Sequence, residues 1–78
     1  MREYLKKLRQ EAGLTMLNVA DAFGISKQYY EMIESGERQR KMDVTMISKI
    51  ADLFGVSVET VVAEERAWLE TEPEEATA

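Results

Sequence analysis

Residues 15–36, TMLNVADAFGISKQYYEMIESG, indicate two short helices joined at Gly24. The apolar Ile25 follows this glycine, as expected where a helix ends in a left-handed residue and the next side chain packs against its last turn. Thr15 and Ser26 are hydroxyl residues that can cap the N-termini of the two helices. The stretch therefore predicts a helix, a tight turn and a second helix.

The same signals recur on both sides of this stretch. Gly13 and Gly55 are each followed by an apolar residue, and Ser57 can cap a helix that begins after the second glycine. Apolar residues recur at intervals of three and four between these signals. They are Tyr4, Leu5, Leu8 and Ala12; Val19, Ala20 and Phe23; Tyr30 and Ile33; Val44, Ile47, Ile50, Ala51 and Phe54; and Val58, Val61, Val62, Ala63, Trp68 and Leu69. We predict an all-α fold, a compact five-helix bundle.

Charge is distributed unevenly along the 78 residues. Residues 1–50 contain nine Lys and Arg against seven Asp and Glu, whereas residues 51–78 contain one against eight. The net charge of -5 therefore reflects an acidic C-terminal third, and the preceding part is mildly basic. We predict one domain at 1–70 and an acidic, disordered tail at 71–78, in which Pro73 and the carboxylates do not support packing.

Two groups of polar residues are expected to face solvent. The first group separates the apolar positions of the first helix, and the second would aid solubility or keep the tail away from nucleic acid. The first comprises Arg2, Lys6, Lys7, Arg9 and Gln10, and the second Glu64, Glu65, Glu70, Glu72, Glu74 and Glu75.

The chain contains no cysteine and no histidine. This composition excludes disulfides, zinc sites with nitrogen or sulfur ligands, and imidazole acid-base chemistry. No nucleophile is paired with a base and no glycine loop can hold a phosphate, so we predict no enzymatic activity, no metal, no cofactor and no small-molecule substrate. The N-terminus is charged and no segment is apolar enough to span a membrane, so we expect a cytoplasmic protein.

Four sequence elements, in this order, resemble the phage-repressor type of helix-turn-helix domain, the group that includes the lambda repressor and Cro proteins. They are LKKLRQEAGLT at 5–15; Ala20 with the turn Gly24, Ile25 and Ser26; Ile33, Glu34 and Gly36; and KIADLFGVSVETV at 49–61. The resemblance implies a five-helix bundle whose third helix enters the major groove of double-stranded DNA, usually as a dimer on a palindromic operator. One departure is Met16, which stands where the family often has a glutamine that holds a phosphate.

The outward face of the third helix carries the candidate base-contacting residues Lys27, Gln28, Glu31 and Met32. Lys27 can donate to guanine, and Gln28 can pair with adenine. Met32 can touch a thymine methyl, and Glu31 can accept from a cytosine amine. The resemblance places base contacts at the first, second and sixth positions of this helix, which are Lys27, Gln28 and Met32. An ordinary solvated helix face is the alternative interpretation.

Phosphate contacts are predicted beside this face. Ser26 lies at the helix N-terminus, where free amides and a partial positive charge favour a phosphate. Arg38, Arg40 and Lys41 follow Gly36 in a loop that, by the resemblance, contacts the DNA backbone. Solubility alone is the alternative explanation of these charges.

Two tyrosines and one ion pair complete this part of the sequence. Tyr30 is expected in the core, where its hydroxyl needs a partner. The adjacent Tyr29 is assigned to the phosphate contacts, with a core position as its alternative. Arg9 and Glu34 match a pair that forms a buried or half-buried ion bridge in similar domains, so we assign them a structural role.

The last helix carries the candidate dimer interface, Val62, Trp68 and Leu69, because these residues exceed what a small core requires. A homodimer is expected since a symmetric protein reads two half-sites. For Trp68 the alternative is packing on the core of its own monomer.

The predicted function is that of a sequence-specific DNA-binding transcriptional regulator, a repressor of phage, mobile-element or bacterial origin. The alternative is a protein-binding adaptor or antitoxin that uses the same fold, with Met16, Tyr29 and Met32 as its contact patch. A continuous positive surface would favour DNA, and its neutralisation by acidic residues would favour the adaptor. The basic surface would comprise Lys27, Gln28, Arg38 and Arg40, and the neutralising residues are Glu31, Glu34 and Glu37.

Overall fold

Five helices make up the computed structural model, which describes residues 1–39 and 41–71. They are α1 (Glu3–Glu11), α2 (Met16–Phe23), α3 (Lys27–Ser35), α4 (Val44–Phe54) and α5 (Val58–Thr71). The described ranges contain no strand, and the predicted all-α, five-helix fold is confirmed.

The three predicted N-caps are confirmed. Thr15, Ser26 and Ser57 each accept a hydrogen bond from the backbone amide three residues further on, at 3.0 Å. Asp43 does the same at the start of α4, at 2.8 Å. Each cap satisfies an amide that has no partner inside the helix and typically stabilises a protein by about 1 kcal/mol.

The turn between α2 and α3 depends on Gly24, whose φ of +72° lies in the left-handed region. The amide of Gly24 donates to the carbonyl of Asp21 at 3.2 Å, and the amide of Ile25 donates to that of Ala20 at 3.0 Å. These two bonds form the helix end that the sequence predicts. They fix the direction in which α3 leaves α2.

The core lies where α3 packs against α1 and α2, and where α4 packs against α5. Ala20 is fully buried, so its small side chain allows α2 and α3 to approach closely. Phe23 meets Tyr30 edge to face, with ring centroids 6.2 Å apart. The buried apolar residues of this cluster are Leu5, Val19, Ala20, Phe23, Tyr30, Ile33, Met46, Ile50, Ala51 and Val61, and Trp68 is buried as well.

Five apolar residues expected in the helical pattern are exposed: Ala12, Val44, Val58, Val62 and Ala63. Val44 is 77% exposed because it is the first residue of α4, before the turns that pack on the core. Val58 is 46% exposed at the corresponding position of α5. The periodic pattern therefore extends one position too far at the N-terminus of each helix.

Four charged side chains within the described residues are buried: Arg2, Arg9, Glu34 and Glu65. The prediction that Arg2 and Glu65 face solvent is wrong. Arg9 is likewise not at the surface, and its burial agrees with the ion pair with Glu34 that the resemblance implied. Each of these side chains is paired with an opposite charge, and such pairing is what makes the burial of an ion tolerable.

Candidate nucleic-acid interface

The outward face of α3 brings together the four predicted base-contacting residues. Lys27 and Gln28 are exposed, whereas Glu31 and Met32 are partly exposed. A shallow groove on this face is lined by Gln28, Glu31, Met32, Ser35 and Glu37. The spacing of α3 thus places donors, acceptors and a flexible apolar side chain on one accessible surface.

Lys27 and Glu31 form an ion pair on this face. The Nζ of Lys27 lies 2.5 Å from Oε2 of Glu31, one helical turn away. The two side chains are 53% and 42% exposed, and an exposed pair of this kind contributes little to stability. Both groups can therefore change partner at small cost when a ligand approaches.

The acidic residues around this face do not all neutralise it. Glu34 is only 1% exposed, so its charge lies in the interior. Glu31 is occupied by Lys27, and Glu37 is exposed. Tyr29 is half-buried, and its hydroxyl accepts a hydrogen bond from the side chain of Gln39 at 3.1 Å. The surface is therefore mixed in charge, and Glu37, at the start of the following loop, is an exposed acidic residue beside it.

The N-terminus of α3 is open to solvent. Ser26 is exposed, and its Oγ accepts from the amide of Tyr29 while its carbonyl accepts from the amide of Tyr30. The amides of Lys27 and Gln28 have no acceptor inside the helix, because the first intrahelical bond runs from the amide of Tyr30 to the carbonyl of Ser26. Together with the helix dipole, they make this end a suitable place for a phosphate oxygen.

The loop after α3 presents cations from a well-anchored backbone. Arg38 and Lys41 are exposed, and Arg40 lies outside the described residues. Gln39 has a φ of +56°, which is uncommon for a residue with a side chain. Its side chain donates to the Tyr29 hydroxyl and accepts from the amide of Asp43 at 3.3 Å. This residue thereby joins α3 to the start of α4.

Arg9 and Glu34 tie α1 to α3 beneath the outward face. Arg9 Nε and Nη2 donate to the two carboxylate oxygens of Glu34, at 2.9 and 3.2 Å. The hydroxyl of Tyr30 donates to the same carboxylate at 2.8 Å, which gives this fully buried tyrosine the partner it needs. The hydrogen bond to Glu34 raises the pKa of Arg9, while burial and then that carboxylate raise the pKa of Tyr30.

A second buried ion pair, Arg2 with Glu65, was missed by the sequence analysis. Arg2 Nη2 lies 2.8 Å from Glu65 Oε2, and Arg2 Nε lies 2.9 Å from Oε1. The hydroxyl of Tyr4 donates to Oε1 at 2.6 Å, and burial, followed by this contact, raises the pKa of Tyr4. A signal for Glu65 was present, because Val61, Glu65 and Trp68 are spaced by four and three and share the buried side of α5.

Arg2 also reaches the loop that carries Arg38. Its guanidinium donates to the carbonyls of Ile33, Arg38 and Gln39, of which the contact with Arg38 measures 3.1 Å. The guanidinium carbon lies 4.2 Å from the ring centroid of Trp68. One buried cation therefore contacts the end of α3, the following loop and α5.

The three candidate dimer residues occupy different environments. Val62 is 37% exposed and Leu69 is half-buried. Trp68 is 7% exposed, since its ring packs on Arg2 and against Gly36 within the monomer. This position corresponds to the alternative that the sequence left open for Trp68, and it removes most of the ring from any surface.

Two other kinds of site are absent from the described part of the chain. None of the helices in residues 1–39 and 41–71 is long and apolar enough to cross a membrane. The same residues contain no group of three or more His, Cys, Asp or Glu side chains arranged to hold a metal ion.

The tail predicted at 71–78 lies outside the described residues from 72 onward, and Thr71 is the last residue of α5.

Comparison with known proteins adds an independent observation. A family model described as helix-turn-helix matches residues 5–61. The uncharacterized HTH-type transcriptional regulator YqaF of Bacillus subtilis (strain 168) is 46% identical over 55 residues, which cover 70% of each chain. No solved structure matches the chain significantly. The family match spans α2, the glycine turn, α3 and α4, together with most of α1 and the first turn of α5. The chain therefore belongs to the helix-turn-helix family of the Cro/C1 type.

Proposed function

We propose that this chain is a sequence-specific DNA-binding transcriptional repressor of the cytoplasm that binds a palindromic operator as a homodimer. The observation that carries the proposal is the exposed face of α3, where Lys27 and Gln28 stand beside the capped N-terminus at Ser26. The family, and the naming of the B. subtilis relative as a transcriptional regulator, support DNA as the ligand.

In this proposal α3 lies in the major groove, with its first turn closest to the bases. Lys27 donates to O6 or N7 of a guanine, and Gln28 forms two hydrogen bonds with an adenine. Met32, one turn further along the groove face, contacts a thymine methyl. These side chains supply specificity because the major-groove edges of the four base pairs differ.

Phosphate contacts set the register of the helix in the groove. The hydroxyl of Ser26 and the free amides at the start of α3 meet one phosphate. Arg38 and Lys41 extend from the following loop toward the backbone, and Arg40 belongs to the same proposed group. Tyr29 belongs to the same proposed group of phosphate contacts, and its hydroxyl is linked to this loop by the hydrogen bond from Gln39. Such contacts supply much of the affinity and make it sensitive to salt.

Glu31 has a specific role in this scheme. In the free protein it holds the ammonium of Lys27 at 2.5 Å. On DNA, Lys27 exchanges this partner for a guanine, and the carboxylate accepts from a cytosine N4 amine. Sequences without a cytosine at that position leave the carboxylate unpaired near phosphates, which disfavours them.

The proposed homodimer forms through α5. Val58 and Val62 are four residues apart, exposed by 46% and 37%, and lie on the same side of the helix. Leu69 extends the apolar surface toward the C-terminal end, while Trp68 stays within the monomer. A dimer doubles the number of bases read, and repression then follows from occupancy of the operator.

A protein-binding adaptor or antitoxin remains the second candidate, and one observation favours it. Met32 lines the groove on α3 together with Glu31 and Glu37, and the ammonium of Lys27 is already paired with Glu31. A basic partner with an apolar side chain would fit that groove. Against it, Glu34 is buried and does not add to the negative surface.

The test of DNA binding is fluorescence anisotropy with a randomised duplex pool, at about 50 and 200 mM salt, followed by selection. We expect salt-sensitive binding and enrichment of a palindrome. Lys27→Ala and Gln28→Ala should each relax the preference at one base position by roughly 10-fold, the typical value of one good base contact. Lys7→Ala, in the groove between α1 and α5, removes the same charge as Lys27→Ala and serves as its control.

The two candidates give different results in this experiment. Enrichment of no sequence, together with unchanged binding by the two α3 variants, would contradict the DNA proposal and favour a protein partner. Sedimentation velocity tests the dimer separately. Val62→Asp should shift the protein toward monomer, whereas Val44→Asp, at a 77% exposed position on α4, should not.

A further inference from the structure

The backbone of the loop that carries Arg38 is held from inside the protein by α1 and α5. Arg2 is fully buried, and its guanidinium donates to the carbonyls of Arg38 and Gln39. The same guanidinium donates to the carbonyl of Ile33 in the last turn of α3. A cation is favourable at that helix end, because the last carbonyls of a helix carry partial negative charge.

Glu65 and Trp68 hold the guanidinium in place from α5. Glu65 accepts from both Nε and Nη2 of Arg2, and a two-point contact fixes the plane of the guanidinium as well as its position. The ring of Trp68 covers its face at 4.2 Å. Tyr4 donates at 2.6 Å to Oε1 of the same carboxylate, the oxygen that also accepts from Arg2 Nε. The orientation of Arg2 is thus determined by three side chains.

We infer that Arg2, Glu65 and Trp68, which we call the loop clamp, position Arg38 for phosphate contact and thereby set the affinity for DNA without touching it. The inference rests on the proposed function. With the carbonyls of Arg38 and Gln39 drawn inward, the Arg38 side chain is directed to the exposed side of the loop. The clamp residues are positioning residues, since Arg2 and Trp68 are buried beneath the loop.

The test must separate loop positioning from stability, because removing one partner of a buried ion pair leaves an uncompensated charge and destabilises the fold. We therefore choose the triple variant Arg2→Met, Tyr4→Phe, Glu65→Leu. It replaces the polar side chains by apolar ones of similar volume, which is often tolerated. The loop carbonyls then lose their internal donor. Val61→Ala, in α5 but away from the loop, is the control for general destabilisation.

DNA binding of the triple variant is measured on the selected operator over a series of salt concentrations. We expect affinity to fall roughly 10-fold. The slope of log K against log salt is negative, and its magnitude should decrease by about 1, the change for one lost phosphate contact. The base preference of α3 should be retained. In an Arg38→Ala background the triple variant should cause no further change in slope, because the contact it disturbs is already absent.

The outcomes distinguish a failure of the loop clamp from a failure of the proposed DNA binding. If the triple variant binds with the parent's affinity and slope, or changes both equally in the Arg38→Ala background, the clamp does not act through Arg38 and the inference is wrong. If the parent itself binds no sequence selectively, the proposed function fails, and the clamp's role in DNA binding fails with it. Should the triple variant not fold, Trp68→Phe, which keeps an aromatic ring over Arg2, gives the same comparison with a smaller expected loss.

Discussion

Nζ of Lys27 and Oε2 of Glu31 are 2.5 Å apart on the exposed side of α3, so the proposed guanine donor is already bonded to a carboxylate of its own helix. In the proposed function, this pair gives Glu31 an influence on both the affinity and the selectivity of DNA binding. A carboxylate at this place opposes phosphates in general and is relieved where a cytosine amine is present.

Glu31→Gln is expected to strengthen binding to unrelated DNA while narrowing the difference between operator and non-operator sequences. At about 50 mM salt the gain in non-specific affinity should be a few-fold, since one negative charge near the phosphates is removed. Anisotropy titrations with both duplexes measure the two effects. Glu64→Gln makes the same charge change in the groove between α1 and α5 and should leave both affinities unchanged. A greater preference for the operator in Glu31→Gln would contradict the role proposed for Glu31.

Ser26→Ala and Thr15→Ala should reduce stability by similar amounts, about 1 kcal/mol each, because each removes one N-cap hydrogen bond. Only Ser26→Ala should also weaken DNA binding, since its hydroxyl belongs to the helix end proposed to meet a phosphate. Urea unfolding gives the first quantity and anisotropy the second. Equal losses of affinity in the two variants would mean that Ser26 acts only through helix stability.

Gly36→Ala is expected to destabilise the protein more than Gly24→Ala. Both glycines have positive φ, +95° and +72°, so both variants introduce backbone strain of order 1 kcal/mol. At Gly36 the added methyl would also lie 2.8 Å from a carbon of the Trp68 ring, whereas nothing lies within 4 Å at Gly24. The difference between the unfolding free energies of the two variants measures the free-energy cost of displacing Trp68. Equal values would show that the ring moves without cost.

Stability is expected to fall in alkaline solution because of Tyr4 and Tyr30. Both have pKa values raised mainly by burial and then by the carboxylates they contact, Glu65 and Glu34. The unfolded chain releases these protons near the ordinary tyrosine pKa of about 10, so their contribution is complete below that pH. It is lost as the pH rises from there toward the raised values of the folded state.

Urea unfolding from pH 8 to 11 tests this expectation by comparison of the parent with the double variant Tyr4→Phe, Tyr30→Phe. The double variant should be less stable at pH 8, because it lacks two hydrogen bonds to carboxylates. Its stability should decline less steeply above pH 10. Parallel curves for the two proteins would show that these tyrosines do not contribute to the alkaline loss.

The features that could be predicted from the sequence act over short distances along the chain. The caps at Thr15, Ser26 and Ser57 and the glycine turn at Gly24 involve partners within five residues, so local residue types reveal them. The exposed face of α3 follows from helical periodicity. These signals also supported the resemblance to a family, which the family match confirms.

The loop clamp could not be predicted in the same way, since Arg2 and Glu65 are 63 residues apart and no local rule connects them. Charged residues are expected at the surface by default, and that default failed where each ion had a partner in the fold. Glu65 lies on the apolar side of α5 between Val61 and Trp68, which was a warning that its carboxylate is buried. Only the tertiary structure identifies Arg2 as the partner.

Trp68 is the single tryptophan of the chain, and its ring lies against both Arg2 and Gly36. Tryptophan emission, excited selectively over the three tyrosines, therefore originates at one identifiable junction, and no dye is needed to observe it. A change in emission on addition of an operator would report that this junction responds to an event on the other side of the loop. A constant emission, with binding seen by other means, would describe a scaffold that stays rigid as it meets its ligand.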